Sequence, residues 1–92
     1  MKQYQVVPST QFRRDLKLAQ RRGCAISRLT AVIKVLAAGG ALEPQYRDHP
    51  LSGDYTGCRE CHIQPDWLLV YRYYEDELLL YLVRSGSHSD LF

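Results

Sequence analysis

Near residue 55 the chain changes its hydrophobic period, and this most limits what it can fold into. Before that point apolar residues recur at helical spacing: Phe12, Leu16 and Ala19, then Ile26, Leu29, Ile33 and Leu36. After it they come in three strand-length runs, Tyr55–Ile63, Trp67–Tyr74 and Glu77–Arg84, separated only by Gln64-Pro65-Asp66 and Glu75-Asp76. Connections that short cannot cross over a sheet, so the three runs are expected to pair as an antiparallel meander. Tyr4–Val7 reads as a further short strand at the start. The order is therefore β-α-α-β-β-β, an α+β fold in which a helical hairpin packs on one face of a small, mainly antiparallel sheet.

Local chemistry sets the element ends. Pro8-Ser9-Thr10 offers turn and N-cap residues for a helix over 10–22, which Gly23 closes. A second helix over 26–38 ends at Gly39-Gly40. Residues 39–54 hold three glycines and two prolines without a period and are expected to form a loop that carries function. At 92 residues the chain has room for one domain, 1–92, with a small core, so binding to a partner is a natural expectation.

Charge is unevenly distributed. Lys2, Arg13, Arg14, Lys17, Arg21, Arg22, Arg28 and Lys34 stand against Asp15 alone in residues 1–34, a balance of +7 where the whole chain carries +2. A basic half joined to an acidic half points to a polyanion such as RNA at one surface. No apolar run approaches the roughly 18 residues of a membrane span, and the first residues lack the apolar stretch of a secretory signal, so a cytoplasmic protein with no membrane partner is expected. Three cysteines, Cys24, Cys58 and Cys61, do not suit a disulfide framework.

Cys58-Arg59-Glu60-Cys61-His62 matches the C-x-x-C-H pattern of covalent haem attachment. Its flanks alternate as a strand instead of opening a helix, which argues against haem. Zinc is disfavoured for a related reason: Cys58 and Cys61, three apart on a strand, point to opposite faces. No cofactor and no metal is therefore expected. The histidines suggest more. His49 lies in the loop, His62 near a strand end, Asp66 in the next turn and His88 beyond Arg84; the meander is expected to bring His62, Asp66 and Arg84 together at one edge, where His88 can fold back beside them. Metal-free RNA cleavage needs such a set: a base for the 2′-OH, an acid for the departing 5′-oxygen and a cation for the phosphorane. Trp67 and Phe92 could stack on unpaired bases.

Three strings, Asp48-His49-Pro50-Leu51, Arg59 through Trp67, and Arg84-Ser85-Gly86-Ser87-His88-Ser89-Asp90-Leu91-Phe92, resemble in order and spacing the signatures of YafQ-type toxins of the RelE/ParE superfamily. The resemblance implies the toxin of a type II toxin–antitoxin pair: a metal-independent endoribonuclease that enters the ribosomal A site and cuts the mRNA codon there. It implies His49, His62, Asp66 and His88 as the acid/base set, with His88 as acid and Asp66 or His49 as base. Arg84 becomes the phosphate-binding cation, and Trp67 and Phe92 become contacts to mRNA. Arg13, Arg14, Lys17, Arg21 and Arg22 would dock on ribosomal RNA. A monomer when free, the chain would join an antitoxin in a hetero-oligomer. Two alternatives stand beside this reading: a ParE-like gyrase inhibitor without catalysis, and a metal or haem module built on Cys58, Cys61 and His62.

Overall fold

The last strand lies inside the sheet, between the first strand and the rest of the meander. In the computed structural model, which describes residues 3–92, the five strands are ordered β1-β5-β4-β3-β2. Lys2 of the basic segment lies outside the described residues. β3 (Arg59–Gln64), β4 (Trp67–Tyr74) and β5 (Leu79–Gly86) form the expected antiparallel meander, and β1 (Gln5–Pro8) pairs parallel to β5. The α+β class and the β-α-α-β-β-β frame agree with the sequence reading.

α1 (Thr10–Arg21) starts where the Ser9 hydroxyl accepts a hydrogen bond from the Phe12 amide at 2.9 Å, satisfying one of the donors that the first helical turn leaves open. Gly23, at φ +76°, takes the left-handed turn that ends it. α2 (Ile26–Ala37) runs back along the sheet. Phe12 and Ala19 of α1 join Leu29, Val32 and Leu36 of α2 in one core with Cys61, Leu69, Tyr71, Leu80 and Leu82 of the sheet. The opposite face buries Cys58, Leu68 and Val70 against Leu91. β4 is thus covered on both sides, and each of its buried leucines and valines contributes about 1.5–3 kcal/mol of transfer free energy. Cys58, just before β3, and Cys61 within it fall in different cores.

The departures from the sequence reading lie where the site is built. The segment 39–54 is not plain loop: Pro44–Tyr46 and Gly53–Tyr55 form 3-10 turns, and His49–Pro50 is a two-residue strand, β2, on the sheet edge. β3 begins at Arg59 rather than Tyr55, because that second 3-10 turn and Gly57 at φ +92° occupy the start of the expected strand. β5 begins at Leu79 and runs on to Gly86. A short C-terminal helix, α3 (His88–Leu91), was not expected, and it lays Leu91 on the second core. No helix among the described residues is long and apolar enough to cross a membrane.

Candidate active site

β2 brings His49 to the sheet. Just before it, Asp48 is held by the hydroxyl of buried Tyr71 (2.6 Å) and by the Arg59 guanidinium (3.2 Å), which fixes the edge strand on β3 and β4. Arg47 takes the left-handed conformation (φ 50°), rare for a residue with a side chain, and its carbonyl accepts from His49 Nδ1 at 2.6 Å. A carbonyl can only accept, so Nδ1 carries a proton. The other ring nitrogen, Nε2, faces Glu60 Oε1 at 3.7 Å.

Glu60 sits opposite His49 in the β2–β3 pair, and His62, two residues on, shares its face. His62 Nε2 lies 3.5 Å from the same Glu60 oxygen, while its Nδ1 is 3.4 Å from the Pro65 carbonyl. A register shift between His62 and Gln64 bends the strand end here, as bulges near functional sites do. Glu60 is only 4% exposed. Its nearest ionic partners among the described residues are these two imidazoles, so a buried carboxylate anchors them at longer than hydrogen-bonding optimum.

His88 arrives from the other direction on α3. Ser87 caps this helix, and Asp90 returns the bond to the Ser87 amide, closing a capping box. Asp66, in the β3–β4 turn, accepts from the His88 amide (3.0 Å) and from its Nδ1 (2.8 Å). These two donors, the backbone N–H first, hold the Asp66 carboxyl below its usual range. Arg22 at the end of α1 reaches Asp90 at 2.7 Å and keeps its carboxyl well below the usual carboxylate range. Ring centroids of His49 and His62 are 6.3 Å apart, those of His62 and His88 5.6 Å. The three histidines and Asp66 form one row: the meander and α3 bring His62, Asp66 and His88 together, and β2 adds His49.

Two expected members are placed differently. Arg84 was expected beside His62 and Asp66, but its polar partner is Asp15 of α1: Nε and Nη2 each donate to a carboxylate oxygen at 3.0 Å, and the Ser85 amide donates to the same group. Asp15 holds the guanidinium above its ordinary pKa. Trp67 is 5% exposed, with its indole N–H donating to Ser85 Oγ at 3.0 Å. It is a core residue that cannot stack on a base without leaving the core. Phe92, 62% exposed and edge-on to Tyr55, does present its ring. Arg13, Arg14, Lys17 and Arg21 are exposed on α1, whereas Arg22 is shared with Asp90.

Sequence reasoning missed Glu60, Asp15 and Asp90. Two of them left a signal: Glu60 is two residues from His62 on a strand, and Asp15 lies within the stripe of Phe12 and Ala19, where an acid has no reason to be unless it is paired. One ligand atom each from Glu60, His62 and His88 lies within 4.8 Å of the others. An oxygen and two imidazole nitrogens suit zinc or copper, and Asp66 behind His88 resembles the carboxylate that orients many metal-bound histidines. Cys58 and Cys61 are buried elsewhere and take no part.

Residues 4–92 match the model of the bacterial toxins of type II toxin–antitoxin systems, YafQ. The chain belongs to the YafQ toxin family. The mRNA interferase toxin YafQ of Escherichia coli K12 is 38% identical over 85 residues, covering 91% of this chain and 90% of that protein. A metal-bound toxin from Helicobacter pylori is 43% identical, covers 100% of both chains and superposes with a TM-score of 0.90. YafQ in the E. coli DinJ–YafQ toxin–antitoxin complex is 36% identical over 98% of both chains, with a TM-score of 0.88.

Proposed function

We propose that this protein, as one domain over 1–92, is an endoribonuclease that cuts mRNA in the ribosomal A site without a metal ion and so stops translation. The observation that carries the proposal is the common state of the three imidazoles: each has Nδ1 directed at an oxygen, Arg47, Pro65 or Asp66, leaving Nε2 as the working nitrogen. His49 removes the 2′-OH proton as that oxygen attacks the adjacent phosphorus. His88 gives a proton to the departing 5′-oxygen, and the products are a 2′,3′-cyclic phosphate and a free 5′-hydroxyl. Asp66 orients His88 through its Nδ1 and amide; this role suits a carboxylate held below its usual range better than that of base. Glu60 and His62 stand between acid and base and fix their spacing.

Arg84, aligned by Asp15, supplies the cation for the phosphorane, and Phe92 stacks on an mRNA base. The exposed Arg13, Arg14, Lys17 and Arg21 dock on ribosomal RNA. An antitoxin binds the toxin in a hetero-oligomer and neutralises it, as the relative's toxin–antitoxin complex suggests. A metal at Glu60, His62 and His88 would occupy the His88 nitrogen that gives up the proton, so on this reading it inhibits. Primer extension on a defined mRNA, with and without programmed ribosomes, tests the proposal. Cuts at A-site codons that require ribosomes, persist when zinc is chelated and vanish in His88→Ala are expected. Toxicity without cuts, unchanged by His88→Ala, would favour a gyrase-directed binding toxin instead.

A further inference from the structure

Beside the histidine row lies an open groove of about 430 Å³, between the start of α2, the 3-10 turn at Pro44–Tyr46 and the end of β3. Its size falls in the range of small-ligand clefts, about 300–1,000 Å³. Arg28, Gln45, Arg47, His62 and Gln64 line it, so His62 belongs at once to this groove and to the row. We propose that the groove is a nucleotide subsite: it takes the nucleotide that flanks the scissile phosphate, with Arg28 and Arg47 on the backbone phosphate and Gln45 and Gln64 on the edge of the base. The inference rests on the nuclease reading above and adds to it where specificity arises.

Three features support this occupant. Arg28 and Arg47 make no ion pair or side-chain hydrogen bond among the described residues, in contrast to Arg22, Arg59 and Arg84, which are all bound to carboxylates. Arg28 is also placed against local electrostatics: it stands in the first turn of α2, which has no acidic residue there and no side-chain N-cap. A cation at that end opposes the helix dipole, and an anion in the groove would be attracted by both. The amides of Gln45 and Gln64 are uncommitted as well, and an amide offers a donor and an acceptor side by side, as base edges require. Arg47 ties the two sites together, since its side chain lines the groove while its carbonyl holds His49.

The test compares wild type with Arg28→Ala, with the double variant Gln45→Ala/Gln64→Ala, and with Lys34→Ala, an exposed cation of α2 outside the groove. Cleavage kinetics on programmed ribosomes should show KM raised tenfold or more in Arg28→Ala with kcat within about threefold. The glutamine variant should spread its cuts over codons that wild type avoids, and Lys34→Ala should change neither. In parallel, a 2′-O-methylated RNA trinucleotide titrated into the free toxin should shift the amide resonances of Arg28, Tyr46 and Gln64. An equal KM rise in Lys34→Ala, or a codon spectrum unchanged in the glutamine variant, overturns the subsite while leaving the nuclease standing. No cleavage by wild type defeats the nuclease reading and the subsite with it.

Discussion

Replacing Asp15 by Ala asks whether one buried carboxylate fixes both the docking helix and the proposed phosphate-binding arginine. Asp15 is 8% exposed and accepts from Arg84 Nε and Nη2 and from the Ser85 amide, each at 3.0 Å. At that distance and an effective dielectric constant near 20, the attraction between the charges is about 5 kcal/mol before desolvation is counted. The Arg84 side chain is 24% exposed, so water recovers part of that on truncation. Against this recovery, the buried Ser85 amide is left without its acceptor, at about 1–3 kcal/mol. Breaking one side of a buried pair costs roughly 3–5 kcal/mol, and partial exposure places this case at the low end, about 3 kcal/mol. For a domain of this size, that lowers Tm by about 12–24 °C.

Urea unfolding followed by circular dichroism would read the loss, with Asp15→Ala, Arg84→Ala and the double variant forming a cycle. A coupling energy of about 1.5 kcal/mol or more is expected. A loss below about 1 kcal/mol, or strictly additive single variants, would refute the assignment of Asp15 as an anchor. Cleavage separates the two roles further: Asp15→Ala should weaken kcat even at temperatures where it is fully folded, because Arg84 loses its alignment.

Asp66→Asn should cut cleavage by about a hundredfold while leaving the fold intact, since general acid catalysis contributes about 10²–10⁴ and its donor loses the partner that orients it; single-turnover rates would show this. Zinc or copper at one equivalent should inhibit cleavage, EDTA should restore it, and Glu60→Gln should weaken the metal in a calorimetric titration. Iodoacetamide at pH 8 should modify Cys24 and spare Cys58 and Cys61, because burial raises the Cys58 thiol and pushes that of Cys61 up to about 12; mass spectrometry of the native protein checks it. Asp90 is depressed by Arg22, so its folded pKa lies below its unfolded one: its hold on α3 is complete above about pH 4 and is lost only as pH falls through the lower value, which amide exchange of residues 88–91 would follow.

The regular elements were legible because hydrophobic period reports them directly. α1 and α2 end within a residue of where Gly23 and Gly39 place them, and the two meander turns follow from Pro65-Asp66 and Glu75-Asp76. Period could not report β2, since two residues have no repeat and Pro50 argues against a strand except on an edge, which is where it lies. Nor could it report α3, a four-residue helix fixed by the Ser87–Asp90 capping box and by Asp66, a bond across 22 residues of sequence. His49, His62, Asp66 and His88 were singled out because their types and positions suggest chemistry, and the fold gathers them at one edge. The partners that hold them, Glu60 above all, were missed: an acid on a strand reads as a solvated residue until the neighbouring strand is seen to cover it.

Irregular elements at this edge also have a physical reason. Three imidazoles aimed at one region need their Nδ1 protons held by acceptors outside that region, and regular strands have already committed their carbonyls to the ladder. The acceptors come instead from places where the ladder stops: the left-handed Arg47, the turn carbonyl of Pro65 and the side chain of Asp66. Each is held by something rigid, since Asp48 beside Arg47 is pinned by Tyr71 and Arg59, and α3 is tied to α1 through Arg22 and Asp90. The buried Glu60 is the costly component, because its ion pairs among the described residues are with two imidazoles at 3.5 and 3.7 Å, which gain little toward folding. On the nuclease reading its place is to pack His49 and His62 in line at the sheet edge rather than to stabilise the fold.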